Sequence, residues 1–194
     1  MRLTQAESER NRKQILEAAG RLFRERGFDG VGVDGLMKGA GFTHGGFYNH
    51  FASKEELEAE ASAAGIAQKN AELVEALSDP RGDAWKKYVR TYLSAEHRGD
   101  RAGGCTLGAL AADVARKGPT VQARFVKAVE GMAGALADHL AHKPSRGKQA
   151  RAHRERALQM LSELVGALVL ARAVAAADPA LSDEILAANR RGLR

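Results

Sequence analysis

Apolar residues in this chain recur at the spacing of a helix and almost nowhere at that of a strand. Ile15, Ala18, Ala19, Leu22 and Phe23 follow the i, i+3, i+4, i+7 rule that lines one face of an amphipathic helix, here from about Glu9 to Arg26. Alternation of period two extends no further than Val31 to Val33, too short for a strand. Only 4 prolines interrupt 194 residues, and the apolar residues are mostly Ala, Leu and Val, of which Ala and Leu are strong helix formers. The fold expected is all-α, with about nine helices.

Punctuation divides the chain accordingly. Residues 1–12 form a polar arm, and Gly27 stops the first helix. Val33 to Ala40 is a short second helix, Gly41-Phe42-Thr43 a turn, and His44 to Phe51 a third helix. Ser53-Lys54-Glu55-Glu56 has the form of a capping box and opens a long fourth helix that runs to about Leu77, before Asp79-Pro80. Asp83 to Glu96, Cys105 to Arg116, and Pro119 to about His142 follow, with Pro119 suited to a first helical position. A basic loop, Lys143 to Lys148, leads to a helix over about Gln149 to Ala176, and Ser182-Asp183-Glu184 caps a final short one.

Three short helices within some 40 residues, with a tight turn at Gly41, make a helix-turn-helix layout. Its expected core is Leu22, Phe23, Phe28, Val33, Leu36, Phe47 and Phe51. Ile15-Leu16-Glu17-Ala18-Ala19, Leu22-Phe23, Gly27-Phe28, Ala40-Gly41-Phe42-Thr43, Gly45, Phe47-Tyr48, His50-Phe51, Ser53-Lys54-Glu55 and Leu57 together resemble the tetracycline-repressor (TetR/AcrR) family. The resemblance covers residues 10–58 and implies an N-terminal DNA-binding domain, 1–52, followed by a ligand-sensing and dimerisation domain, 53–194.

In that frame Thr43 caps the third helix or meets a phosphate, and His44 and Gly45, at its N-terminal end, face base edges. The resemblance puts phosphate contacts at Tyr48, His50 and Lys54, and Asn49 is a further base reader. Gly45 and Gly46 each cost helix stability, roughly 1 kcal/mol, but let backbone approach the groove. Where the second helix begins, the family usually has hydroxyl residues and this chain has Val31 and Gly32. A hydroxyl–phosphate contact is therefore missing, which either lowers affinity or is made up by Arg10, Arg12 and Lys38.

The same resemblance implies a ligand pocket in the C-terminal half and a homodimer formed by the last two long helices. Leu158, Leu161, Leu164, Val165, Leu168 and Val169 make a broad apolar face beside small residues such as Ala157, Gly166, Ala167 and Ala171, fit for a partner helix or for intramolecular core. Trp85, Tyr88 and Tyr92 share one face, and with Phe125, Met132 and Met160 they are candidate pocket walls or simply core. Cys105, the only cysteine, follows Gly103-Gly104 at a helix start, where the macrodipole and unbonded N–H groups favour a thiolate. It is either a sensor of electrophiles and oxidants or a small buried apolar residue. The segment Gly103-Gly104-Cys105 with Ala111-Ala112-Asp113-Val114-Ala115 resembles one subgroup of the family. Arg172 either meets an acidic ligand or pairs with Glu163. The histidine pair His139 and His142 beside Asp138 is a weak metal candidate, and neither metal nor cofactor is expected.

The net charge of +6 permits an acidic partner, but its placement is uninformative. Residues 1–56 carry nine Lys/Arg against eight Asp/Glu, while Lys143 to Arg156 carries six basic residues against Glu155 alone. A single cysteine excludes an internal disulfide. The polar N-terminus is unlike a secretory signal, and Ala157 to Ala177 contains Glu163 and Arg172, which suits a buried helix better than a membrane span. No phosphate loop, dinucleotide fingerprint or nucleophile motif points to an enzyme. The expectation is a cytoplasmic, non-enzymatic regulator that binds double-stranded operator DNA as a homodimer and is released by a small molecule or a thiol-reactive compound. The alternatives are an activator, or a constitutive DNA-binding protein without an effector.

Overall fold

The computed structural model describes residues 4–141 and 145–193, and every regular element among them is helical. The elements are α1 (Gln5–Arg26), α2 (Val33–Gly39), a 3₁₀ helix (His44–Asn49), α3 (Lys54–Leu77), α4 (Asp83–Tyr92), α5 (Ala95–Gly99), α6 (Thr106–Val114), α7 (Pro119–Ala141), α8 (Gly147–Val174) and α9 (Pro179–Gly192). The all-α expectation holds, with differences at element ends.

Helix α1 begins at Gln5, inside the expected arm. Thr4 and Glu7 form a reciprocal capping box there, a short-range pattern sufficient to extend a helix by a turn. The expected Asp83–Glu96 helix is two: α4 ends at Tyr92, and Ser94 restarts the chain as the cap of α5 by accepting from His97 N–H. At the other end of the chain α9 starts earlier than expected, on the Asp178 cap with Pro179 as its first residue. Ser182 is therefore inside the helix, donating its hydroxyl to the Ala171 carbonyl at 2.7 Å. The Ser53 box forms in a shifted sense: Ser53 Oγ accepts from Glu56 N–H, and the Glu56 carboxylate reaches back to Ala52 N–H at 2.6 Å. His142 and part of the basic loop lie outside the described residues.

Two compact units are distinguishable, one holding residues up to Ile66 together with Arg101–Val126, the other Ala67–Asp100 with residues from Lys127 onward. In the first, Phe23, Phe28, Leu36, Phe47 and Phe51 are buried as expected, joined by Ile15, Met37 and Leu57, whereas Leu22 and Val33 sit at its edge. Helix α6 packs against α1, and the Arg24 guanidinium donates to the Ala102 carbonyl. A Cβ on Gly65 would stand 2.6 Å from Thr106 Oγ1, so glycine is what lets α3 and α6 approach.

In the second unit α8 and α9 pair along their lengths. Trp85, Tyr88 and Tyr92 stack successively at 5.9 Å, and the His97 ring meets Tyr92 edge-on at 4.8 Å. Trp85 Nε1 donates to the Leu193 carbonyl at 3.1 Å. Arg172 donates to the carbonyls of His97, Arg98 and Asp100 and so caps the C-terminus of α5. Arg98 in turn grips Ser182 and Asp183 at 2.6 and 2.7 Å.

Burial pushes the His97 imidazole below its ordinary range, against the raising effect of the Tyr92 carbonyl, and the charges of Arg172 and Lys69 add to the lowering while Asp100 opposes it. Over the interval between that lowered value and the unfolded value of 6.5, the unfolded chain binds more protons. Stability is then full above the unfolded value and falls as the solution is acidified through it. The unfolding midpoint should drop from about pH 7.5 to about pH 5.5, and less steeply in His97→Gln. Equal slopes in a thermal-melt series would show that His97 does not contribute.

Helix α8 is the one helix among the described residues long and apolar enough to cross a membrane. Its apolar residues divide between two faces. Ala157, Leu161, Leu164, Leu168 and Ala171 are buried, but Leu158, Val169 and Leu170 are exposed and Val165 half-exposed.

Candidate nucleic-acid interface

The element between α2 and α3 is short because its sequence makes it so. Gly45 and Gly46 deny the third helix about 1 kcal/mol each, and the segment settles as one 3₁₀ helix, His44–Asn49, in place of the expected α-helix to Phe51. Short 3₁₀ segments are the usual outcome where α-helical hydrogen bonding is weakly supported. Gly41, at φ 79°, turns the chain between α2 and this element, a conformation that costs a side chain but not glycine. Gln14 Nε2 anchors the turn by donating to the Ala40 carbonyl at 2.9 Å.

Alternate faces of the element do different work. Phe47 is fully buried, against Phe51 at 5.8 Å and Tyr48 at 5.1 Å. Tyr48 is 69 % exposed, and Thr43, His44, Gly45 and Asn49 are exposed beside it. A large aromatic side chain held outward on a buried neighbour is a polar handle on a rigid base. Thr43 occupies the N-cap position with extended backbone, but its hydroxyl makes no capping bond.

One expected phosphate contact, Lys54, has internal partners. Lys54 Nζ donates to the Phe28 carbonyl at 2.6 Å and lies 3.5 Å from the buried Glu58 carboxylate. Three donors on an ammonium leave room for a phosphate, with the lysine already held in position. His50 ends the element half-buried, its Nδ1 enclosed and without a hydrogen-bond partner. Arg12 forms a two-point bridge to Glu60 at 2.7 Å, donates to the His50 carbonyl and lies 4.5 Å over the Phe51 ring. It therefore braces the 3₁₀ element. Arg10 and Lys38 are exposed.

Sequence reasoning missed the lock at the base of this module. Phe28 N–H donates to the Asp113 carboxylate at 3.1 Å, while the Phe28 carbonyl accepts from Lys54. Lys117 bridges Asp29 at 3.0 Å and Glu58 at 3.3 Å and sits 5.4 Å over the Phe28 ring. Burial alone would lower the Lys117 ammonium, but the two carboxylates outweigh it and hold the pKa above the usual lysine value. Gly27 is required at this point: its φ is 75°, and a Cβ would lie 2.7 Å from Asp113 Oδ2. The only sequence signal for the lock was that Gly27, read as a helix stop.

The candidate ligand residues are drawn from both units. Trp85, Tyr88, Tyr92, Met132 and Met160 belong to the second unit, Cys105 and Phe125 to the first. Trp85 and Tyr92 are buried and Tyr88 half-buried, packed on one another. Cys105 is 1 % exposed and caps α6, its Sγ accepting from Gly108 N–H at 3.5 Å. Met132, Phe125 and Met160 are buried. No cluster of metal-binding side chains occurs among the described residues.

The family model for bacterial regulatory proteins of the tetR family matches residues 15–68, the span that holds the braced element. The HTH-type transcriptional regulator LmrA of Bacillus subtilis is 40 % identical over 74 residues, 36 % of this chain and 39 % of that protein. The HTH-type transcriptional repressor AcnR of Corynebacterium glutamicum is 35 % identical over 100 residues, 46 % of this chain and 52 % of its own. These curated relatives are thus matched over about half of their length or less. Solved structures extend the likeness in fold to nearly the whole chain. Reduced E. coli NemR superposes with a TM-score of 0.77 at 22 % identity, covering 95 % of each chain. A TetR-family regulator from Cytophaga hutchinsonii gives 0.74 at 19 % identity, covering 100 % of this chain and 96 % of that one. Residues 15–68 are thus similar to the bacterial regulatory proteins of the tetR family, and the all-helical fold of the chain is shared with these solved structures.

Proposed function

We propose that the protein is a cytoplasmic repressor that binds operator DNA as a homodimer and leaves it in response to a chemical signal. The observation that carries this reading is the pairing of a fully buried Phe47 with an outward Tyr48. Around them Thr43, His44, Gly45 and Asn49 form an exposed edge able to enter a major groove. Tyr48, His50 and Lys54 contact phosphate and set register, while His44 and Asn49 read bases. The functional division follows 1–52 for DNA and 53–194 for sensing and dimerisation.

A second copy of the chain is the proposed occupant of the exposed face of α8. Leu158, Val165 and Val169 recur there at i, i+7 and i+11 beside Gly166, and Leu181 and Ile185 continue an apolar row on α9. Helix α8 carries more apolar surface than one chain buries, and a homodimer seam accounts for the remainder.

The signal acts by preferring one arrangement of the helices over another, since a ligand of equal affinity for both shifts nothing. Two entry points are proposed: a small molecule among Trp85, Tyr88, Tyr92, Met132 and Met160, or an electrophile or oxidant at Cys105, with Phe125 in the same unit. Cys105 stands at the N-terminus of α6, and Asp113 near the C-terminus of the same helix holds Phe28 N–H. A group added to so enclosed a thiol must displace α6, and with it the contacts that brace the reading element.

Gel-shift titration on the DNA upstream of its own gene, across salt concentrations, tests the reading. Specific binding whose affinity falls steeply with salt is expected. An electrophile such as N-ethylmaleimide should abolish binding by the natural protein and leave Cys105→Ser bound. Equal loss in both proteins would remove Cys105 from the mechanism. Absence of specific binding, there and in an unbiased selection from random duplexes, would overturn the regulator itself.

A further inference from the structure

Four cations converge on one cleft of the second unit, and the helix register shows that the convergence is built into both walls. On α4 the lining residues are Lys86, Val89 and Arg90; on α9 they are Ala187, Arg190 and Arg191. Each set is spaced i, i+3, i+4, so each helix turns one whole face to the cleft. The volume is about 520 Å³, within the roughly 300–1,000 Å³ of small-molecule sites.

The floor is apolar and fixed. Val89 and Leu193 are almost fully buried, and the Leu193 carbonyl is held by Trp85 Nε1. Charge lies above it: Lys86, Arg90 and Arg191 are exposed and Arg190 half-exposed. Among the described residues the only carboxylate paired with any of the four is Asp83, 3.8 Å from Lys86 with both groups well exposed. No salt bridge or hydrogen bond of the Arg90, Arg190 or Arg191 side chains occurs among the described residues. Arg90, Arg190 and Arg191 also stand in the last turns of their helices, where cations complement the macrodipole. That explains their position along each helix. It does not explain why both helices rotate these side chains toward the same cavity, where like charges repel without a counter-ion.

We infer that the cleft between α4 and α9 binds a small organic anion with an apolar body and at least two phosphate or carboxylate charges. The apolar body covers Val89, Ala187 and Leu193, and the charged head is clamped between the guanidinium forks, whose planar donors match carboxylate and phosphate alike. Arg190 and Arg191 lie on the side of α9 away from Leu181 and Ile185, so this site and the proposed dimer seam use different faces of one helix. It is also separate from Cys105, which belongs to the other unit.

The probe for the test is bis-ANS, a fluorescent binaphthyl carrying two sulfonates, which photolabels its site. The expected result is a saturable site labelled on the peptides of α4 or α9. The variant Arg90→Gln/Arg190→Gln/Arg191→Gln should weaken binding about ten-fold or more, while the uncharged dye N-phenylnaphthylamine binds it as it binds the natural protein. Inorganic pyrophosphate should compete for the charged half of the site. Unchanged bis-ANS affinity in the variant, or labelling elsewhere, would overturn the inference. So would displacement by random duplex DNA at phosphate concentrations where pyrophosphate fails, which would assign these cations to a nucleic-acid backbone. The titration with pyrophosphate contains no operator, so its failure leaves the reading of the helix-turn-helix standing.

Discussion

Alanine at Phe47 is expected to lower the unfolding free energy by about 3–5 kcal/mol, and alanine at the adjacent Tyr48 by no more than about 1 kcal/mol. Phe47 is wholly enclosed, packed on Phe51 in the core of the first unit. Its removal empties an aromatic volume that a short element cannot close by relaxing. Tyr48 is 69 % exposed and touches the core only through an edge-on contact with the Phe47 ring. Its loss should instead weaken DNA binding, by about ten-fold or more on every duplex tested, because a phosphate contact is indifferent to sequence. Denaturant unfolding and salt-resolved binding measured on both variants separate the two effects. Similar stability losses at both positions would mean that Tyr48 is a packing residue, and would remove the observation on which the proposed function rests.

The second large effect is expected at the lock. Glu58 is 2 % exposed and is neutralised from two sides, by Lys54 at 3.5 Å and Lys117 at 3.3 Å. Lys117→Met removes the ammonium that also holds Asp29 and covers the Phe28 ring. Breaking one side of a buried pair costs about 3–5 kcal/mol when both groups are enclosed. Lys117 is 20 % exposed and Lys54 remains, so about 2–3 kcal/mol is the expectation here. The Asp29 arm, 81 % exposed, contributes little of this. Lys117→Met combined with Glu58→Gln should recover more than half of the loss, because the uncompensated charge disappears with its partner. A loss below about 0.5 kcal/mol in the single variant would show that water solvates Glu58, and that the lock does not hold the base of the reading module.

Residue by residue, what could be read in advance follows the range of the interaction. The burial of Phe23, Phe28, Phe47 and Phe51, the turn at Gly41 and the cap at Ser53 all depend on neighbours within about one or two turns of chain. They were legible for that reason. Thr4 and Glu7 were just as local, and the α1 extension they cause was missed because a polar, charged segment has no apolar stripe. The break of the expected fifth helix at Leu93 and Ser94 turned on a serine cap inside a run that otherwise keeps helical composition.

Side-chain partners were a different matter. Arg12 was a candidate for DNA and braces Phe51 and Glu60 instead. Arg172 was assigned to a ligand or to Glu163 and caps α5. Both have long, flexible side chains whose reach exceeds their own helix, so periodicity says which face they leave from and not where they end. The aromatic stripe of α4 was placed on one face correctly, yet whether such a face lines a void or packs upon itself depends on the helices opposite it.

The sequence by itself therefore determined the all-helical fold and the three-element layout of the N-terminal module, because hydrophobic period, glycine conformation and capping act over a few residues; the role of Tyr48 came only from the family resemblance, and its exposure from the structure. Only the tertiary structure decided that α6 and the turn after it, far along the chain, pack with that module through Asp113 and Lys117, and that two basic helix faces meet across one cleft. Those contacts join residues 59 or more positions apart. Such pairings are selected by the packing of the whole chain, and no local propensity encodes them.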